Sequence, residues 1–208
     1  MQVCSRLKQD ARSVHILQAA IQLFARKGFQ GTKTKEIAEA AGINEALIFR
    51  DFQTKEKLYC AILEYASTRL DFAPTLDELA VYAEHRNDSA IFSTVARRLF
   101  ESFDRERDLF RLMLYSALEN HQLASKFRER QIEPIERFIE SYLRTRQQEG
   151  DFVEGDSRVL ARSFLSMCNN HILRHILGSD TEWPADEATA NTFTNVFLDG
   201  VRSHVRTE

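Results

Sequence analysis

Apolar residues recur every three or four positions along nearly the whole chain, and that spacing fits helices and little else. Val14, Leu17, Ile21 and Phe24 fall on one face of a helix, because 3.6 residues complete a turn. No alternating strand pattern persists, and no internal repeat or low-complexity segment interrupts the periodicity. Only 7 Gly and 3 Pro punctuate the 208 residues, too few for a loop-rich β architecture. The fold class is therefore all-α.

Local signals divide the chain. Gly28 is expected to stop the first helix in the left-handed C-terminal manner. A polar turn, Gln30 to Lys33, leads to a second helix near Thr34–Ala41, which Gly42 ends. Asn44 supplies an N-cap acceptor for a third helix, roughly Glu45–Phe52. Thr54, with Glu56 in the first turn, begins a fourth that runs to about Phe72, before Pro74. Further amphipathic segments follow near 76–84, 89–103, 106–120, 123–148, 157–177 and 186–205, about nine or ten helices in all. Pro134 has no amide hydrogen to donate, so it should kink or divide the 123–148 segment. The clearest loops are Gly150–Gly155 and Gly178–Pro184.

Composition narrows the class. The chain is 43% hydrophobic and 28% charged, a globular balance. It holds no apolar run long enough to span a bilayer, and Met1–Asp10 has no apolar core of a secretory signal, so the expected location is the cytoplasm. Cys4, Cys60 and Cys168 lack metal-ligand spacing and read as reduced thiols used in packing. The net charge of −3 hides an asymmetry. Residues 1–60 hold 10 Lys+Arg against 6 Asp+Glu, whereas the remainder holds 18 against 25. A basic first quarter on an acidic body suits an N-terminal part that approaches a polyanion.

Residues Thr34–Phe52 form two short helices joined by a glycine-containing turn, the arrangement of a helix-turn-helix. Small Ala38 and Ala41 let the second helix lie close to its partner. Ile43, Ile48 and Phe52 anchor the third helix, leaving Glu45, Ala46, Phe49 and Arg50 on its outward face. Such a helix fits the major groove and can reach base edges. The pattern by itself also fits a compact trihelical core with no nucleic-acid affinity.

The run Ile16–Tyr59 resembles the N-terminal domain of the TetR family of transcriptional regulators. The resemblance rests on Phe24 and Gly28-Phe29, the threonines Thr32 and Thr34, Ile37-Ala38, Ala41-Gly42-Ile43, Phe49 and Phe52, and Lys55-Glu56. It covers about the first 60 residues; the rest matches only in length, helical content and general plan. The resemblance implies a DNA-binding domain over 1–56, with the helix-turn-helix at 34–52 and a linker helix at 54–72, ahead of a ligand-sensing and dimerising domain over 73–208. It implies that Thr34 and Lys55 contact phosphates, and that Asn44, Glu45, Ala46 and Arg50 face the groove. Lys33 and Lys35 assist electrostatically, and Arg50 reads guanine or clamps a second phosphate. Two positions depart from the family pattern. Phe49 stands where tyrosine is frequent and offers only ring contact, and Asp51 replaces a common histidine or aromatic. Glu45, at the helix N-terminus, either accepts from a cytosine amino group or favours the helix dipole.

In the body, Val159, Leu160, Phe193, Val196, Phe197 and Val201 supply apolar stripes either for a homodimeric four-helix interface or for the chain's own internal core. An unusually apolar segment carries Phe110 and Met113. Together with Phe138, Tyr142, Phe164, Met167, Asn170, His171 and Arg174 it forms the candidate lining of a small-molecule pocket. His171, Arg174 and His175 could make a polar pole for an anion or a solvated edge. His171 and His175 stand four apart without a third metal ligand, so neither metal nor cofactor is expected. No Gly-rich phosphate loop or nucleophile elbow points to an enzyme.

The resulting expectation is a bacterial repressor that binds a palindromic double-stranded DNA operator as a homodimer. An effector would release it by shifting the linker helix and the spacing of the recognition helices. The alternative is a helical-bundle adaptor of the same fold with weakened DNA binding.

Overall fold

The computed structural model describes residues 11–178 and 187–203. The described residues form eleven α-helices and one π-helical turn, with no strand beyond an isolated bridge between Phe152 and Arg202. The helices are α1 (Ala11–Gly31), α2 (Thr34–Ala40), α3 (Glu45–Phe52), α4 (Lys55–Arg69), α5 (Ala73–Glu84) and α6 (Asp88–Arg105). They continue with α7 (Arg107–Leu118), α8 (Gln122–Phe127), α9 (Glu133–Gln148), α10 (Ser157–Ile176) and α11 (Glu187–Val201). The all-α class holds. The Gly178–Pro184 loop beyond Gly178, both ends of the 186–205 segment, and Met1–Asp10 with Cys4 lie outside the described residues.

The described residues divide into two compact units. The first takes in those up to Asp71 together with Glu106–Gln131; the second takes in Phe72–Arg105 and those from Ile132 onward.

Most boundaries follow local chemistry. The Asn44 side chain accepts from Ala46 N–H at 2.8 Å and the Thr54 hydroxyl accepts from Lys57 N–H at 3.1 Å, each satisfying an otherwise orphaned amide at a helix start. Pro134 does divide the 123–148 segment. A π-turn over Arg128–Ile132 ends α8, and Pro134 sits in the first turn of α9, where its missing N–H costs nothing. Pro74 plays the same part in α5, so that helix begins at Ala73 rather than near 76, and α4 ends at Arg69 rather than Phe72.

Gly28 departs from expectation. Its φ of 70° is positive, but its ψ of 176° is extended rather than left-handed helical, and a helical turn resumes to Gly31. A Cβ here would lie 2.5 Å from Glu119 Oε1, because the Glu119 carboxylate reaches in to accept from Phe29 N–H at 3.0 Å. Glycine is required both by the torsion and by that approach.

In the first unit α1 packs along α7, and α2, α3, α4 and α8 close around them. Ile16, Phe24, Ile37, Ile48, Leu58, Ile62, Leu109 and Leu112 have no exposed surface. Phe24, Phe29, Tyr59 and His121 cluster at ring separations of 4.3–5.7 Å, with Tyr59 in T-shaped contact with the other three rings and Phe24 stacked on Phe29. Tyr59 is fully enclosed. Ser116 lies close to it without meeting hydrogen-bond geometry, and burial pushes its phenol up to about 12.

The second unit packs α6 against α11 and α9 against α10, with Phe92, Phe164 and Phe197 at its centre. Beside this core lies a polar cluster. Asp88 Oδ1 accepts from the Tyr142 hydroxyl at 2.5 Å and from Arg146 Nε at 3.0 Å, while Arg146 Nη1 donates to Glu149 at 2.7 Å and Asp151 at 2.6 Å. Burial, reinforced by the Asp88 carboxylate, drives the Tyr142 phenol well above its ordinary value. Cys168 is buried in this unit, and burial pushes its thiol up to about 12, so it stays protonated at neutral pH. That fits a packing cysteine.

Candidate nucleic-acid interface

α3 is held from beneath by Ile48 and Phe52, which are 0% and 3% exposed. Ile43, expected as a third anchor, is only half-buried; it sits in the turn rather than on the buried face of α3. Asn44, Ala46, Phe49 and Arg50 face solvent, with Phe49 45% exposed despite its size. A large aromatic left in water on a helix with a firmly buried opposite face is a surface available to a partner.

The side chains around this face are ordered by one another. Thr34, at the first turn of α2, donates its hydroxyl to Glu45 Oε1 at 2.5 Å, which ties the start of α2 to the start of α3. Glu45 therefore has a partner within the chain, a relation that neither reading of it from sequence contained. Glu36 accepts from Lys33 N–H at 2.9 Å and from Lys27 Nζ at 2.7 Å. Lys27 and the Lys33 amide hold its carboxyl below the usual range. Lys33 and Lys35 are exposed. Lys55 stands at the first residue of α4 with its ammonium 4.3 Å from the centre of the Phe29 ring, a cation–π arrangement that partly removes it from water. That desolvation lowers its pKa against the opposing pull of Glu56, Glu119 and Glu36.

Asp51 is the feature that sequence reasoning missed. Read as a mere departure, it instead joins two arginines: Oδ1 accepts from Arg50 Nε at 2.9 Å and Oδ2 from Arg12 Nε at 3.0 Å. The first link had a signal in the sequence, since the residues are neighbours; the second spans 39 positions and had none.

The other candidate residues scatter. Phe110 and Met113 are half-buried on α7 in the first unit, whereas Phe138, Tyr142, Phe164, Met167, Asn170, His171 and Arg174 belong to the second. Tyr142 is committed to Asp88 and Phe164 is sealed among Phe92 and Phe197, so both are core rather than pocket wall. His171 lies between the Phe100 and Phe193 rings at 5.2 and 5.5 Å, while Asn170 and Arg174 face solvent. A cavity of about 310 Å³ opens in the first unit between α4 and the α7–α8 turn, lined by Tyr59, Cys60, Leu63, His121, Leu123 and Lys126 among others, none of them a residue picked from sequence. Of the dimer candidates, Val159 and Val196 are 57% and 60% exposed and Leu160 and Phe193 half-buried. Phe197 and Val201 are turned into the core of the second unit, because the apolar stripe of α11 also faces inward.

Comparison with known proteins agrees with this geometry. Residues 16–62 match the family of bacterial regulatory proteins described as the tetR family. The uncharacterised HTH-type transcriptional regulator YvkB of Bacillus subtilis is 25% identical over 187 residues, covering 89% of this chain and 95% of that protein. The HTH-type transcriptional repressor Rv3405c of Mycobacterium tuberculosis is 44% identical over 55 residues, 26% of this chain and 29% of its own length. Among solved structures, the TetR family transcriptional regulator PfmR of Thermus thermophilus superimposes with a TM-score of 0.66 at 24% identity, over 88% of this chain and 97% of that one. With the helix-turn-helix presented outward and the family pattern spanning it, residues 16–62 match the DNA-binding segment of the tetR family, and the chain is similar over most of its length to transcriptional regulators of that fold.

Proposed function

We propose that this chain is a repressor that binds a palindromic operator as a homodimer and is released by a small-molecule effector. The observation that carries the reading is the outward face of α3, anchored by Ile48 and Phe52 and flanked by the N-termini of α2 and α4. In this reading Lys33, Thr34, Lys35 and Lys55 engage phosphates, and Asn44, Glu45, Ala46, Phe49 and Arg50 meet the groove. A single recognition helix covers too few base pairs for useful discrimination, so a two-fold pair is needed. The outward Val159 and Val196, with Leu160 and Phe193, support α10 and α11 as its interface.

Effector release is supported by the cavity against α4. Tyr59, which forms part of its wall, also packs on Phe24 and Phe29 of α1, so a molecule seated there strains the support of the helix-turn-helix. By linkage, operator DNA and effector must then weaken each other's binding by the same factor. Repression follows Rv3405c, a relative named a repressor, which matches over the DNA-binding segment.

In vitro selection of bound duplexes tests the core of the reading. A palindrome with half-sites about one helical turn apart, ~34 Å, is expected. Selection of no sequence, or binding without steep salt dependence, overturns it, because phosphate contacts must release counterions.

A further inference from the structure

Arginine is a costly reader when it is loose, because its long side chain carries rotamer entropy that binding must remove. Arg50 is exposed, yet its Nε is already engaged by Asp51 at 2.9 Å. An Nε contact occupies one edge of the guanidinium and leaves the Nη1 and Nη2 donors for a two-pronged contact with guanine or phosphate. Asp51 is itself restrained. Its side chain is 13% exposed, and its second oxygen takes Arg12 Nε at 3.0 Å from α1. The carboxylate is thus gripped from both sides, one grip coming from a different helix.

We propose that Asp51 is a positioning residue for DNA reading: it sets the plane of the Arg50 guanidinium before DNA arrives, and Arg12 holds Asp51 in place to do so. This rests on the reading that Arg50 contacts a base. Asp51 pays an electrostatic penalty near phosphates, and that penalty falls equally on every DNA sequence. Positioning, in contrast, shows only at the base pair that Arg50 reads. The two effects therefore separate in one experiment.

Binding of the full chain is measured to the duplex obtained by selection, to that duplex changed at each half-site position in turn, and to unrelated DNA. Arg50→Ala first identifies the position at which discrimination disappears. Asp51→Asn, which keeps shape and removes charge, is expected to lower discrimination at that position about fivefold or more while affinity for unrelated DNA stays or rises. Arg12→Gln shifts discrimination the same way by less, and Asp51→Glu restores part of it. In an Arg50→Ala background, Asp51→Asn has no effect on discrimination. A uniform rise in affinity for all duplexes, or the same loss with Arg50 absent, overturns the positioning role and leaves base reading intact. Unchanged operator affinity for Arg50→Ala overturns base reading, and the positioning role with it.

Discussion

Asp51 and Asp88 present the same chemistry in two settings. Each uses both carboxylate oxygens and each faces an arginine Nε at about 3 Å. Around Asp88 the partners are enclosed, with Arg146 only 11% exposed and Tyr142 buried. Around Asp51 the carboxylate is sheltered but both arginines lie largely in water, 44% and 55% exposed. Water screens the second cluster and returns most of what its ion pairs would gain, so it contributes orientation rather than stability. The first is costly to break, because losing one partner strands a desolvated charge.

The sharpest way to break this comparison is Asp88→Ala. It should destabilise the chain by about 3 kcal/mol, at the lower end for buried pairs because Arg146 keeps Glu149 and Asp151. A urea midpoint close to the parent's would show that the cluster is not stability-bearing. The arginine on the other side gives the complementary result: Arg50→Ala should cost ~1–3 kcal/mol of operator binding while leaving folding stability within about 0.5 kcal/mol. Tyr142→Phe removes one donor from Asp88 and should cost about 1 kcal/mol in the same urea titration. Asp51→Asn should change stability by less than ~1 kcal/mol; a loss as large as that of Asp88→Ala would erase the distinction between the two sites.

The smallest effect expected is that of pH. Arg50 first, then Arg12, hold the Asp51 carboxyl below the usual aspartate range, against the contrary pull of burial. A depressed folded-state pKa means that its contribution is complete above the unfolded value of about 3.9 and is lost only as pH falls through the lower folded one. Discrimination at the Arg50 position should therefore stay level between pH 5 and 8 in anisotropy titrations. A fall beginning near pH 6 would assign that discrimination to another group.

How much of this was readable beforehand depended on distance along the chain. The caps at Asn44 and Thr54 and the division at Pro134 were legible because each is decided by groups within a few residues. Gly28 was legible as a break but not as a torsion, since its partner Glu119 lies far along the chain. Of the outward set expected from helical spacing, Ala46, Phe49 and Arg50 are exposed and Glu45 is half-buried. Phe197, Val201, Tyr142 and Phe164 misled because an apolar stripe says that a residue is covered, not what covers it.

By itself, then, the sequence determined the helical class, most of the helix starts and the identity of the face that α3 turns outward, all of them consequences of backbone hydrogen bonding and a 3.6-residue period. Only tertiary structure decided that Glu106–Gln131 folds with the N-terminal helices, that Glu119 closes on Gly28, that Arg12 backs Asp51 and that Asp88 is roofed by Tyr142 and Arg146. Those pairings join residues tens of positions apart, and they are chosen by which surfaces fill space together, a quantity that no short window of sequence contains.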